Sequence, residues 1–255
     1  MNSPKTLLVG NILALVVVLT VNALASILRI NGMNTGEISD LYPSLFTPAG
    51  FTFSIWGVIY LLQMSFVIAQ FKIKEENYFK ELSLWYWLSC FANVSWILVW
   101  QYLFTTASVV VMLVLLFSLT RIFLLLQQSK MRTTIEQVFI KLPFVVYLAW
   151  ICVATIANIS ALLVSLHWQG GFLSEEQWAI AMIIVAALLG LFIAYKFKEP
   201  AILLVLIWAF FGIYSKWITT EHETIAITSR IAGVVLAVVV GKLIVDSRKN
   251  SAKVQ

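Results

Sequence analysis

Apolar residues do not recur every two or three to four positions along this chain. They run on without interruption for about 18 to 25 residues at a time, and polar clusters break the runs. Reading those runs as helices predicts spans near residues 6–28, 50–71, 82–104, 106–128, 138–166, 174–197, 200–218 and 224–246. A run of ~20 apolar residues is what a helix needs to cross ~30 Å of hydrocarbon. In lipid every backbone N–H and C=O must be satisfied internally, and the short alternating strands of a membrane barrel are missing, so the spans are helices. The expected fold is all-α, a polytopic transmembrane helix bundle of about eight spans. The run 6–28 is too long for a secretory leader, whose apolar region is roughly 7–15 residues, and counts as the first span. The weakest division is 174–218, where Lys196, Lys198, Glu199 and Pro200 separate two shorter runs that could be one broken helix.

Composition agrees with that pattern. With 61% hydrophobic and 11% charged residues, the chain has too little polar surface to cover a water-soluble globule. The net charge of +5 would suggest nucleic acid in a soluble protein, but here the basic residues sit at the ends of apolar runs, so no nucleic-acid partner is expected. With the N-terminus inside, all but Arg29, Lys216 and Arg230 of the 17 basic residues fall on the cytoplasmic side, including Lys72, Lys74, Lys130, Arg132, Arg248, Lys249 and Lys253. Both termini are therefore expected in the cytoplasm, with a bacterial cytoplasmic membrane as the expected location. Cys90 and Cys152 lie inside apolar runs and suit packing better than a disulfide or a metal site.

The chain has no HExxH, no phosphate-binding glycine loop, no GxSxG and no carboxylate deep in a span, which argues against an enzyme. The spans carry uncharged polar residues and aromatics instead. In the fifth, Tyr147, Trp150, Ala154 and Asn158 follow one another at three, four and four residues and so share one helical face. Asn93 and Trp96 share a face of the third span, and Phe53, Trp56 and Tyr60 share one of the second. Asn22 lies toward the outer end of the first. Each alone could be packing or a helix-to-helix hydrogen bond, but together they suggest one cavity, with these ten residues as candidate ligand contacts. Above it runs 29–49, the longest outward loop, with Gly32, Gly36, Pro43 and Pro48; it suits a lid over an entrance from the outer half of the bilayer.

At these residues the sequence resembles the tryptophan-rich sensory protein family, TspO/MBR, to which the translocator proteins belong. The likeness rests on Tyr147, Trp150, Ala154, Thr155 and Asn158, on Ala92, Asn93 and Trp96, and on Pro48 leading to Trp56 and Tyr60, in order over residues 1–166. It implies a five-helix core at 1–168, with 169–255 as three additional helices and a basic tail. It also implies a sensory or receptor-like protein that needs no cofactor and holds a planar hydrophobic molecule of the porphyrin or haem class. The aromatic faces would stack on that molecule. The expected partners are the lipid bilayer and this ligand, with a homodimer compatible. No sterol motif follows Asn158. The rival readings are a transporter of a lipid-like substrate through the same cavity and, behind it, an enzyme acting on an isoprenoid or tetrapyrrole.

Overall fold

The computed structural model describes residues 4–72, 78–129 and 133–252, and the side chains of all but 4, 72 and 247–252 of these. Lys74, Lys130, Arg132 and Lys253, used above for orientation, lie outside the described residues, as do the side chains of Lys72, Arg248 and Lys249. The helices in chain order are α1 (Pro4–Ser26), α2 (Thr35–Asp40), α3 (Ile55–Ala69), α4 (Phe79–Gln101), α5 (Thr105–Gln128), α6 (Thr134–Glu136), α7 (Leu142–Ser165), α8 (Glu175–Phe197), α9 (Ala201–Trp217) and α10 (Glu223–Ala252). No strand occurs among the described residues. A π-helical turn, Gln137–Lys141, joins α6 to α7 without a break, and a 3₁₀ turn, Gly50–Ser54, leads into α3.

Among the described residues, seven helical stretches are long and apolar enough to cross a membrane. The eighth predicted span is α9, a 17-residue apolar helix. At 1.5 Å per residue it is ~25 Å long, the lower limit for crossing a ~30 Å hydrocarbon layer. The doubtful stretch 174–218 is two helices: Lys198 ends α8 in the left-handed region (φ 57°), and Pro200, with φ already near the helical value, starts α9.

The chain forms two compact units. The first comprises 1–43 and 53–166, and its five long helices pack in a ring in the order α1, α4, α5, α7, α3 and back to α1. Gly10 of α1 makes one of these contacts close, since a Cβ there would collide with the Trp87 ring on α4. At one end of the ring Arg121 of α5 pairs with Glu81 of α4 at 3.4 Å and lies 5.5 Å over the Trp85 ring. At the other end, hydrogen bonds tie residues 25–35 to the last two residues of α4. Gln101 Nε2 donates to Ala25 O (3.0 Å) and Met33 O (3.1 Å), Asn31 Nδ2 donates to Gln101 O (2.8 Å), and Trp100 Nε1 donates to Thr35 O (3.3 Å). Asn34 caps α2 by accepting from the backbone of Gly36 and Glu37, and its own backbone N–H donates to Glu37 Oε2 at 2.8 Å.

The second unit comprises 44–52 and 167–255. Its helices α8, α9 and α10 each pack on the other two. The segment 44–52 lies along α9: Ala49 N donates to Gly212 O (3.1 Å), Trp208 Nε1 donates to Thr52 O (2.9 Å), and Phe51 meets the rings of Trp208 and Phe211 edge-on. Gly212 is required there, because a Cβ at that position would collide with Thr52 Oγ1. The loop 29–49, expected on the outward side, is therefore part of two pieces with different attachments, 29–43 on the ends of α1 and α4 and 44–52 on α9.

Candidate functional site

Long stretches without charge leave shape and neutral hydrogen bonds to bring α1, α3, α4 and α7 together. On α3, Trp56, Tyr60 and Gln63 lie four and three residues apart and face inward. Tyr86, Cys90, Asn93, Trp96 and Trp100 make the matching stripe on α4. Trp56 is the hub of the aromatic cluster. It stacks on Tyr60 (centroids 5.7 Å apart, planes at 22°) and on Trp96 (6.2 Å, 29°), and meets Tyr147 (5.8 Å, 75°) and Trp150 (6.4 Å, 86°) edge-on. Phe53 closes on the Trp150 ring at 6.1 Å, and Trp96 stacks on Trp100 at 5.7 Å.

Two hydrogen-bonded chains hold this cluster. In one, Asn22 Nδ2 donates to Asn93 Oδ1 (2.7 Å), and Asn93 Nδ2 donates to the Tyr147 hydroxyl oxygen (2.9 Å), which joins α1, α4 and α7. In the other, Trp96 Nε1 donates to Asn158 Oδ1 (3.0 Å) and Asn158 Nδ2 donates to Ser108 Oγ (2.8 Å), which joins α4, α7 and α5. Asn22, Asn93, Trp96, Tyr147, Trp150 and Asn158 are all buried, and Phe53, Trp56, Tyr60 and Ala154 are half-buried. Nine of the ten candidates thus enter one connected cluster through ring contacts or hydrogen bonds, while Ala154 sits one turn of α7 from Trp150 and from Asn158. The indole N–H of Trp150 has no hydrogen-bond partner among the described residues. The rings occupy one another's faces, so a flat molecule stacking here would replace ring-to-ring contacts.

Beside the cluster is a small cavity with room for a single water, lined by Leu15, Val18, Tyr60, Gln63, Tyr86, Cys90 and Tyr147. The stripes read from the sequence leave out Gln63, Ser108, Tyr86 and Cys90. The available signal was the three- and four-residue spacing of Tyr86, Cys90 and Asn93 on α4 and the rarity of an amide such as Gln63 within a span. Among the described residues there is no group of three or more His, Cys, Asp or Glu side chains that could hold a metal.

A family model described as TSPO-like protein matches residues 7–242. The chain belongs to the TSPO-like family. The match runs from the first turns of α1 far into α10, beyond the motifs at 1–166 that carry the resemblance. No curated protein and no solved structure matches the chain. Membership and the apolar helices make this TSPO-like chain an integral membrane protein.

Proposed function

We propose that this TSPO-like chain is a sensory or receptor-like binding protein whose five-helix unit takes up a planar hydrophobic ligand, of which the tetrapyrroles are the class implied by the resemblance. The observation that carries this is the uncharged aromatic cluster around Trp56, with rings on α3, α4 and α7 and a polar frame of Asn22, Asn93, Asn158 and Tyr147. Small-molecule sites are mostly apolar and aromatic with a few convergent polar groups, and that is the composition of this cluster. Ligand would exchange Trp–Trp stacking for Trp–ligand stacking, at little net cost in ring contacts. The excess of basic residues supports the end of the ring bearing Lys80, Arg121 and Lys141 as the cytoplasmic one in this reading. The cluster then lies in the outer half of the bilayer, beneath 29–43.

The test is to titrate the detergent-purified protein with protoporphyrin IX, haem and a carotenoid while following tryptophan fluorescence, to which 10 tryptophans contribute. Saturable quenching is expected for at least one of them. Trp150→Ala and Asn158→Ala should each weaken it about five- to thirtyfold, the equivalent of ~1–2 kcal/mol for a lost aromatic contact or hydrogen bond. Normal binding by both variants, in monodisperse protein, refutes the assignment.

Transport is the second reading, favoured by one further feature. Asn11, Gln70 and Ser83 form another buried neutral group in the ring, with Asn11 Nδ2 donating to Gln70 Oε1 and Ser83 Oγ at 3.0 Å each. It lies three turns of α1 from Asn22, toward the end that carries Lys80. Uptake of the ligand into sealed vesicles, absent from protein-free vesicles, would favour transport over sensing.

A further inference from the structure

The helical stretch that carries Trp56 begins before α3. The 3₁₀ turn Gly50–Ser54 runs into α3 with helical backbone at Ser54 (φ −59°, ψ −17°), so Gly50–Ala69 is one continuous stretch. Its first turn is held by α9. Thr52 O accepts from Trp208 Nε1 at 2.9 Å, Ala49 N donates to Gly212 O at 3.1 Å, and the Phe51 ring meets Trp208 edge-on with centroids 5.6 Å apart. Thr52 is fully buried, with its hydroxyl where a Cβ of Gly212 would stand. The indole N–H is the only donor a tryptophan side chain has. Trp208 gives it to a backbone carbonyl, which fixes the turn itself and not just a side chain.

The residues that follow belong to the aromatic cluster, with Phe53 against Trp150 at 6.1 Å and Trp56 stacked on Trp96 at 6.2 Å. Thr52 and Trp56 are one helical turn apart, and a single turn does not bend without losing backbone hydrogen bonds. A flat molecule that stacks between Trp56 and Trp96 has to part them. Trp96 is pinned on α4 by its bond to Asn158 (3.0 Å) and its stack on Trp100 (5.7 Å), so the displacement falls on the α3 side. The turn that moves is the one whose start is bonded to α9.

We infer that docking of 44–52 on α9 and stacking of a ligand on Trp56 oppose each other, so that a bound ligand loosens 44–52 from α9 and the second unit registers that the site is filled. This rests on the binding reading above and deepens it by naming how the site is regulated and what reads it. The two states are 44–52 docked on α9 and 44–52 released. Linkage makes the coupling reciprocal: the factor by which ligand weakens docking is the factor by which docking weakens ligand affinity. A purely structural role for α9 has the opposite sign, since loosening a scaffold weakens the site it supports.

Both directions are measurable on the full chain in detergent, with protoporphyrin IX as the probe, or haem or the carotenoid if one of those is what quenches. Trp208→Phe removes the N–H and keeps a ring against Phe51. Its affinity for the probe, read from quenching of the remaining tryptophans, should rise about three- to tenfold. In a Ser44→Cys variant that retains Trp208, saturating probe should speed labelling by an impermeant maleimide at least about threefold. The background from Cys90 and Cys152 is taken from the unaltered protein, and this readout stands even if Trp208→Phe fails to fold. Labelling that the probe leaves unchanged or slows overturns the release. An affinity that Trp208→Phe leaves unchanged or lowers overturns the role given to α9. In either case the binding reading stands, because the unaltered protein still binds the probe. If none of the three probes quenches saturably, the binding reading itself fails and the coupling falls with it.

Discussion

Asn93 joins three helices through one side chain, and the energy of that junction can be worked out from its contacts. It is fully buried, accepts from Asn22 Nδ2 at 2.7 Å and donates to Tyr147 at 2.9 Å. Interhelical hydrogen bonds inside membranes average ~0.6 kcal/mol and reach ~1.7. Asn93→Leu keeps the volume roughly constant and removes both bonds, so it should cost about 1–2 kcal/mol. The loss is limited because Asn22 Nδ2 keeps its second acceptor, Val18 O, at 2.9 Å. Tyr147→Phe removes only the hydroxyl but leaves an amide hydrogen of Asn93 buried without that partner, which also costs ~1–2 kcal/mol. In the double variant no orphan remains. Its destabilisation should therefore fall short of the sum of the two by about 0.6–1.7 kcal/mol. The assay is reversible unfolding in mixed micelles with increasing dodecyl sulfate, followed by far-UV circular dichroism for all four proteins. Additivity within ~0.3 kcal/mol would show that Asn93 and Tyr147 do not interact and would refute this geometry.

Three more outcomes are expected. A cysteine at Ser44, which is 7% exposed, should react slowly with an impermeant thiol reagent, and one at Leu41, 49% exposed, should react quickly; equal rates would mean that 44–52 is not packed as described. Gly212→Val should push its side chain into Thr52 and Pro48, cost ~1–3 kcal/mol, and make the cysteine at position 44 react quickly. Reporter fusions after Lys198 should be cytoplasmic and fusions within 167–174 external, and the reverse pattern would invert the proposed orientation.

The spans were legible because lipid demands continuous apolar sequence, and only a turn with its own chemistry interrupts it. Lys196, Lys198, Glu199 and Pro200 marked the break between α8 and α9 without revealing that Lys198 makes it in the left-handed region. The stripes on α3, α4 and α7 followed from helical periodicity, so the residues of the cluster could be named in advance. Which side chain bonds to which could not, because pairing depends on helix rotation and depth. Asn158 meets Trp96 and Ser108, a serine with no neighbouring pattern to single it out. Nor does anything in the sequence of 29–49 divide it near Pro43. The attachment of 44–52 depends on a missing Cβ at Gly212, far along the chain.

That attachment also bears on how the protein is made. Thr52 and Trp208, joined by a hydrogen bond, are 156 residues apart in the chain. At a synthesis rate of about 5–20 residues per second, the segment 44–52, a strap along α9, leaves the ribosome roughly ten to thirty seconds before that helix exists. During that interval the segment just ahead of α3 has nothing to dock on. A chain stopped after α7 would keep the strap permanently unmatched, so the last three helices cannot be shed as a late accessory without stranding a piece of the first half.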